Sequence, residues 1–257
     1  MYRNIFETHA HYDEACYAGR LPQVLNAQRE AGVTHIINAS SSIPSAKRAV
    51  ALARAYDFVY AAVGVYPLEA AAAPGGWLQE VERLAGAEKV ACIGEIGLDY
   101  HEPAAERAAQ RRVFCAQLAL AGRLGMPVQI HSRDADADML AILREYRPAR
   151  AVIHRFSSPP DYGAAFLSLG CCLSFCCAVT YPEWAFLLET ARAMPLEQMV
   201  LETDAPFLAP AHLAGQTATS EMIAFVAARI ASVRPGCSPQ DILDVTCENA
   251  QRLFDIP

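Results

Sequence analysis

The chain has 257 residues, of which 53% are hydrophobic and 19% are charged, a composition that excludes a disordered chain and provides material for a sizeable core. Its formal net charge of −7 excludes the strongly basic surface that is typical of proteins binding long nucleic acid. No apolar run has the length that a membrane-spanning helix needs, and the amino terminus lacks the apolar stretch of a signal peptide. These properties predict a soluble, cytoplasmic protein that does not associate with membranes.

Eight short runs rich in β-branched and aromatic residues alternate with helical patterns along the chain. The runs cover residues 3–8, 33–38, 58–64, 90–96, 127–131, 151–154, 170–175 and 198–203. In Ala104–Leu124, apolar residues recur at helical spacing, and Gly32, Gly125 and Gly170 stand where helix C-caps are expected. Strand–helix alternation repeated eight times, in a chain of this length, predicts an α/β fold, a TIM-type (β/α)8 barrel formed by residues 1–257 as one domain.

The carboxyl terminus adds one helix to this repeat. Ser238 and Asp241 have the spacing of a capping box, and an amphipathic pattern follows them as far as Phe254. We therefore expect a C-terminal extra helix after the eighth strand and its helix.

Six side chains of metal-ligand type follow five of the apolar runs: His9, His11, Glu95, His131, His154 and Asp204. The catalytic side chains of a parallel barrel come from the carboxyl ends of different strands, so we expect all six in one pocket. His9 and His11 share one face of an extended segment and can bind one ion together, although this spacing alone is equally typical of two structural histidines.

The remaining ligand types complete a site for two ions. The carboxylate of Glu95, between two glycines, can bridge both cations with its two oxygens. His131 and His154 then satisfy a second ion, while Asp204 can bind the first ion and take a proton from a bound water. We expect two ions about 3.5–4 Å apart, as in other two-metal sites. Asp99 either supports these ligands or is a loop residue.

Other polar residues fit this pattern less well. His35 lies within a strand and is predicted to be structural, whereas His101 and His212 are predicted to be exposed. Glu202 and Thr203 are expected to orient their neighbours. Ser132–Ala135 resembles a polar N-cap cluster for the next helix. The nine cysteines are an odd number and predict reduced thiols; the cluster at residues 171, 172, 176 and 177 favours packing over the alternative of a redox or metal site.

Several segments of the chain resemble the TatD family of metal-dependent deoxyribonucleases, within the amidohydrolase-like barrels: Glu7–His11, Gly94–Tyr100, Pro127–Arg133, His154–Ser157 and Leu201–Pro210, with the tail from Glu248 to Phe254. The resemblance spans nearly the whole chain. It implies one divalent ion on His9, His11, Glu95 and Asp204, a second ion on Glu95, His131 and His154, and Asp204 as the base. The metals remain open among Mg, Mn and Zn.

The chain departs from this family's pattern at several positions. Glu7 stands where the family usually has aspartate, Tyr66 where it has histidine, and Arg155 where it has cysteine. The loop 211–220 contains neither arginine nor lysine, although the family commonly has an arginine there. We therefore expect the substrate phosphate to be bound by Arg155 and Arg133, with Tyr66 in the same pocket.

These observations predict an enzyme, a metal-dependent phosphodiesterase of deoxyribonuclease type with Glu95 and Asp204 as catalytic residues. It would act on single-stranded DNA ends or short phosphodiesters, with no obligate protein partner. The alternative is a metal-dependent hydrolase of a small ester, lactone or amide on the same barrel. Related small-molecule hydrolases often bridge their metals with a modified lysine, and residues 90–96 contain none, which favours the nuclease. A non-catalytic relative is disfavoured because all six ligands are present.

Overall fold

A computed structural model describes residues 2–101 and 106–257 of the chain. Eight parallel strands form one sheet in which each strand neighbours the next along the chain. The strands are β1 (Ile5–Ala10), β2 (Val33–Ala39), β3 (Val59–Val63), β4 (Val90–Asp99), β5 (Val128–Arg133), β6 (Ala151–Ile153), β7 (Cys172–Phe175) and β8 (Met199–Leu201). This order confirms the eight predicted strands.

Helices follow the strands on the outside of the sheet. Within the described residues they are α1 (Leu21–Glu30), α2 (Ile43–Ala55), α3 (Trp77–Ala85), α4 (Arg107–Leu124), α5 (Asp136–Tyr146), α6 (Pro160–Ser168), α7 (Leu187–Ala193), α8 (Ile223–Ala231) and α9 (Pro239–Phe254). The predicted capping box of α9 is present, with reciprocal hydrogen bonds between Ser238 and Asp241. The first two residues predicted for α4, 104 and 105, lie outside the described residues.

Hydrogen bonds between β1 and the segment after β8 close the sheet at its carboxyl-terminal rim. The backbone nitrogen of Asp204 donates to the carbonyl of His9 over 3.0 Å, and that of His11 donates to the carbonyl of Ala205 over 2.6 Å. Ala10 and Ala205 pair as an isolated parallel bridge. The eight strands therefore form a TIM-type barrel, as the sequence predicts.

Helix α9 packs against the opposite, amino-terminal end of the barrel. The ring of Phe254 stacks on Phe6 of β1 with 6.4 Å between centroids, and both belong to an apolar cluster with Ile37, Val152 and Val200. His35 stacks on Phe6 at 4.8 Å, and its Nε2 lies 3.0 Å from the carbonyl oxygen of Pro257. This histidine is structural, in agreement with the sequence.

Three strands extend beyond the apolar runs that predicted them. β1 ends at Ala10, β4 at Asp99 and β5 at Arg133. The predicted ligands His9, Glu95 and His131 therefore lie inside strands and not just beyond them. The extension of β4 requires glycine at position 97, where φ is +147° and a Cβ would lie 2.0 Å from the carbonyl oxygen of His131. The close approach of β4 and β5 thus brings their ligands together.

Two further expectations can be compared with the structure. The predicted polar N-cap of α5 is wrong, because the cap residue is Ala135, whose side chain has no hydrogen-bond acceptor. The Ser132 hydroxyl donates to the Asp136 carboxylate over 3.0 Å. None of the helices in the described ranges is long and apolar enough to cross a membrane.

The four-cysteine cluster belongs to the apolar interior. Cys171, Cys176 and Cys177 are buried, and Cys172 is half-buried. All nine cysteines are free thiols. Burial raises the pKa of Cys176 to about 12 and that of Cys172 to about 11. Thiols that stay protonated at neutral pH are poor nucleophiles and ligands, so this cluster packs as small hydrophobic side chains.

Candidate metal centre

Glu95 of β4 stands at the centre of the rim, and its two oxygens face different histidines. Oε1 lies 2.9 Å from Nδ1 of His131 and 2.8 Å from Nε2 of His154. Oε2 lies 3.6 Å from Nε2 of His9 and 3.8 Å from Nε2 of His11. The carboxylate therefore stands between two pairs of imidazole nitrogens.

Asp204 completes the group on the side of β1. Its Oδ1 lies 3.4 Å from Nε2 of His11 and 3.8 Å from Nε2 of His9. The residue follows β8 in a left-handed conformation, with φ of +65°, which non-glycine residues seldom adopt outside functional turns. All six predicted ligand side chains thus meet at one end of the barrel, and all six are buried.

Each of three histidines is held from behind by an oxygen atom. Nδ1 of His11 lies 3.0 Å from the carbonyl of Ala39, Nε2 of His131 lies 3.0 Å from Oδ2 of Asp99, and Nδ1 of His154 lies 3.3 Å from Oε1 of Glu202. An outer hydrogen bond of this kind fixes the tautomer and turns the other ring nitrogen, with its lone pair, toward the centre. Asp99 and Glu202 therefore orient the rings of His131 and His154. The sequence suggests this role for Glu202 and leaves it open for Asp99.

Glu7 ties β1 to the loop that carries Asp204. Its Oε1 accepts from the backbone nitrogen of Thr203 over 2.8 Å and from that of His9 over 3.2 Å, while the Thr203 hydroxyl donates to Oε2. Burial raises the pKa of Glu7 to about 8, although the hydrogen bonds from Thr203 oppose the rise. The side chain acts as a buried brace that reaches across the seam of the barrel.

Charges in the cluster are strongly interdependent. Burial opposes ionisation of Glu95, but His154 and the hydrogen bonds from His131 and His154 hold its pKa well below the usual range. Burial also lowers the pKa of His154, yet the charges of Glu95 and Glu202 outweigh it and raise that pKa to about 10. Asp204 is buried as well, and its hydrogen bond with His11 and the nearby His9 and Arg155 lower its pKa to about 2. Both central carboxylates are therefore anions at neutral pH.

The donor set fits divalent cations. Donor atoms of His9, His11 and Glu95 all lie within 4.8 Å of one another, as do those of Glu95, His131 and His154. Mixed imidazole and carboxylate donors suit zinc, manganese and related ions. His9, His154 and Glu202 also meet this distance, but Glu202 faces Nδ1 of His154, on the far side of the ring from Glu95.

An open cavity of about 310 Å³ lies above the cluster, lined by ligand residues together with Tyr66, Arg155 and Phe207. The Tyr66 hydroxyl donates to Oδ2 of Asp99 over 3.0 Å. Phe207 was not expected here; it is 49% exposed and its ring lies edge-on to His11 at 5.8 Å. An aromatic residue three positions beyond Asp204 is the only signal the sequence offers for it.

Arg155 lines this cavity together with His154, the residue that precedes it in the chain. Alternation along a strand would turn the two side chains to opposite faces, but Arg155 lies beyond the end of β6 and has φ of +43°. Its Nη1 donates to Oδ2 of Asp204 over 2.9 Å. One oxygen of Asp204, the residue predicted to take a proton from a bound water, is therefore already hydrogen-bonded to an arginine. Arg133 has an exposed side chain and borders a smaller cavity next to the first.

The other histidines stand apart from the centre. His101 is exposed and its Nδ1 lies 2.8 Å from Asp134. His212 is exposed, with its ring 4.6 Å from that of Phe225. The predicted exposure is confirmed for both.

Residues 6–255 match the family model described as TatD related DNase. The chain belongs to this family. A relative from Bacillus subtilis, the uncharacterized metal-dependent hydrolase YabD, is 32% identical over 98% of this TatD-family chain and 99% of its own length. A 3'-5' ssDNA/RNA exonuclease TatD from Edwardsiella piscicida is 32% identical over 93% of this chain and 94% of its own.

A solved structure is also similar to this TatD-family chain. The TatD homolog YJJV from Escherichia coli k12 superposes with a TM-score of 0.95, at 28% identity and with full coverage of both chains. The family assignment and the His/Glu cluster agree on a metal-dependent hydrolase that binds divalent metal.

Proposed function

We propose that this chain is a two-metal phosphodiesterase of deoxyribonuclease type that acts on single-stranded DNA ends or on short phosphodiesters. The main support for this proposal is the position of Glu95. One of its oxygens faces His131 and His154, and the other faces His9 and His11. The TatD exonucleases among its relatives support a nucleic-acid substrate.

We assign the ligands accordingly. One divalent ion would be held by His9, His11, Glu95 and Asp204. The second would be held by Glu95, His131 and His154. Ions bound there would polarise a phosphoryl oxygen and lower the pKa of a water molecule. Magnesium, manganese and zinc remain the candidates.

Asp204 is the proposed base. Its carboxylate is ionised at neutral pH and buried at the floor of the cavity, so it can orient an attacking water and accept its proton. Arg155 keeps Oδ2 fixed by donating to it. A guanidinium has further donors besides Nη1, and these can bind a non-bridging oxygen of the substrate phosphate.

We also propose Arg133 and Tyr66 as substrate contacts. Arg133 borders the side cavity next to His131, and Tyr66 lines the main cavity. Because the Tyr66 hydroxyl donates a hydrogen bond to Asp99, a substrate would contact the edge or the face of the Tyr66 ring.

Lysine placement disfavours the alternative, hydrolysis of a small ester, lactone or amide at a lysine-bridged centre. The chain has two lysines, Lys47 and Lys89. Lys47 pairs with Glu80 over 3.0 Å, and the ammonium of Lys89 donates to the carbonyls of Ala53 and Tyr56. Both are engaged elsewhere, so a carboxylate occupies the position between the histidine pairs.

A reducing compartment suits the thiols of this chain. All nine cysteines are free, including the exposed Cys16, and disulfide-free cysteine-rich chains are typical of the cytosol. We therefore propose a cytoplasmic enzyme. We also propose that it works as one barrel, without an obligate protein partner.

The decisive experiment compares substrates. Full-length protein loaded with Mg²⁺, Mn²⁺ or Zn²⁺ is assayed with labelled single-stranded DNA, a dinucleotide phosphodiester, and a panel of lactones, esters and amides. We expect cleavage of the first two, abolished by a chelator and by Glu95→Gln. Turnover confined to the small-molecule panel would replace this proposal with the alternative.

A further inference from the structure

A second cavity, of about 90 Å³, opens beside the metal centre. It shares His131, His154 and Arg155 with the main cavity and adds residues from other segments, among them Trp184. Its volume is about a third of that of the main cavity. A small tetrahedral anion fits this space.

The two cavities differ in the charge of the side chains that line them. Glu95, Asp204 and Glu14 line the main cavity, whereas no carboxylate of the described residues lines the side cavity, which has Arg133 and Arg155 in its wall. In a chain of net charge −7, a pocket bordered by two arginines, one of them paired with Asp204, can attract an anion. Arginine forks match the geometry of phosphate oxygens.

Some hydrogen-bond donors that line the side cavity already have partners in the protein. The Ser132 hydroxyl donates to Asp136, and Nη1 of Arg155 donates to Asp204. The donors left to face an anion are the other guanidinium nitrogens of Arg155, the guanidinium of Arg133 and the hydroxyl of Ser157, which also lines the cavity. Together they can surround a phosphate that is held apart from the carboxylate-lined cavity.

We propose that the side cavity binds a second phosphate group of the substrate, one that is not cleaved. The cleaved phosphodiester lies over Glu95 and Asp204, and a terminal phosphomonoester one nucleotide away enters between Arg133 and Arg155. The enzyme therefore prefers strand ends or dinucleotides that carry a terminal phosphate. The identity of the substrate that carries this phosphate rests on the proposed function, whereas the prediction that the side cavity binds phosphate does not.

Phosphate binding is measured first, without turnover. Trp184 borders the cavity and the only other tryptophan is Trp77 of α3, so tryptophan fluorescence of the full-length, metal-loaded protein reports on titration with inorganic phosphate. We expect saturable binding that Arg133→Ala weakens about tenfold or more, since hydrogen bonds to charged groups are strong. Arg54→Ala, which removes an exposed arginine of α2, is the matched control and leaves the dissociation constant unchanged.

Phosphate bound only at the metals would show the same dissociation constant in Arg133→Ala and in the unchanged protein, and that result would overturn the inference. The side chain of Arg133 is exposed, so its removal leaves the core intact. Arg133→Lys, which keeps the charge but loses the planar fork, is expected to bind with intermediate strength.

Substrate preference is measured second, with three dinucleotides that carry a 5'-phosphate, a 3'-phosphate or neither. We expect one phosphorylated form to have a kcat/KM about tenfold or more above the form without terminal phosphate, and Arg133→Ala to bring that ratio close to one. The preferred end identifies the source of the phosphate. Equal kcat/KM for all three overturns the inference. No hydrolysis of single-stranded DNA or of any dinucleotide, with phosphate binding still dependent on Arg133, contradicts the proposed function and supports the phosphate site.

Discussion

Nη1 of Arg155 lies 2.9 Å from Oδ2 of Asp204, so the proposed base and the proposed phosphate contact are hydrogen-bonded partners. The other oxygen of Asp204 faces His11 and His9. The carboxylate is thereby fixed from both sides, and the guanidinium is fixed at the boundary between the two cavities. Rigid placement of this kind is how a site keeps its charges aligned with the reacting group.

Replacing Arg155 by alanine is expected to raise KM for a phosphodiester by about tenfold to a hundredfold, because a charge-assisted contact to phosphate is lost. Metal content, measured by elemental analysis, should stay the same, since Arg155 donates to Asp204 and ligates nothing. Arg54→Ala serves as the control. An unchanged KM would mean that Arg155 only braces Asp204.

Glu95→Gln keeps the shape of the central side chain but removes its charge. A neutral amide cannot face imidazole nitrogens on both sides with two equivalent oxygens, so we expect the bound metal to fall by at least one equivalent and phosphodiester hydrolysis to fall by about 10² or more. Elemental analysis and a dinucleotide assay measure both effects. Full metal content in this variant would contradict the bridging role.

Asp204→Asn tests the base. The amide oxygen can still accept from Arg155, but it has lost the basicity of a carboxylate, and general acid–base catalysis contributes typically about 10²–10⁴-fold. We expect kcat to fall within that range while circular dichroism stays native. Near-full turnover with metal still bound would assign the proton transfer to another group.

Asp99→Asn tests the outer support of His131. Removing a carboxylate that orients a ligand typically costs about 10–100-fold in metal affinity or activity, and we expect that loss in competition titrations with a metal indicator. Tyr66→Phe removes the hydroxyl that donates to the same Oδ2 and is expected to have the smaller effect. Equal losses in the two variants would mean that Tyr66 also acts on the ligand.

Salt dependence tests the reach of the binding surface. The loop 211–220 has neither arginine nor lysine, and Arg133 and Arg155 are the cationic side chains that border the cavities. Each neutralised phosphate of a single strand contributes about −0.7 to the slope of log K against log salt, so binding of a dinucleotide and of a long strand to Asp204→Asn should be similarly shallow. A steep slope for the long strand would reveal an extended basic surface.

The sequence by itself determined the fold and the inventory of the site. Eight apolar runs separated by helical periodicity specify parallel strands, because periodicity is a local property of the chain, and Ser238 with Asp241 specifies the start of α9. The six ligand types could be found because parallel strands bring their carboxyl ends to one rim, whatever the details of packing.

Tertiary structure decided which atoms face each other. The positive φ of Arg155 overrides strand alternation and turns that side chain toward Asp204, and the donation from Tyr66 to Asp99 follows from the neighbouring positions of β3 and β4. The side cavity joins Arg133 at the end of β5, Arg155 just beyond β6, and Trp184 from the segment between β7 and α7. Such contacts depend on packing between segments distant along the chain, and local patterns of residues do not encode them.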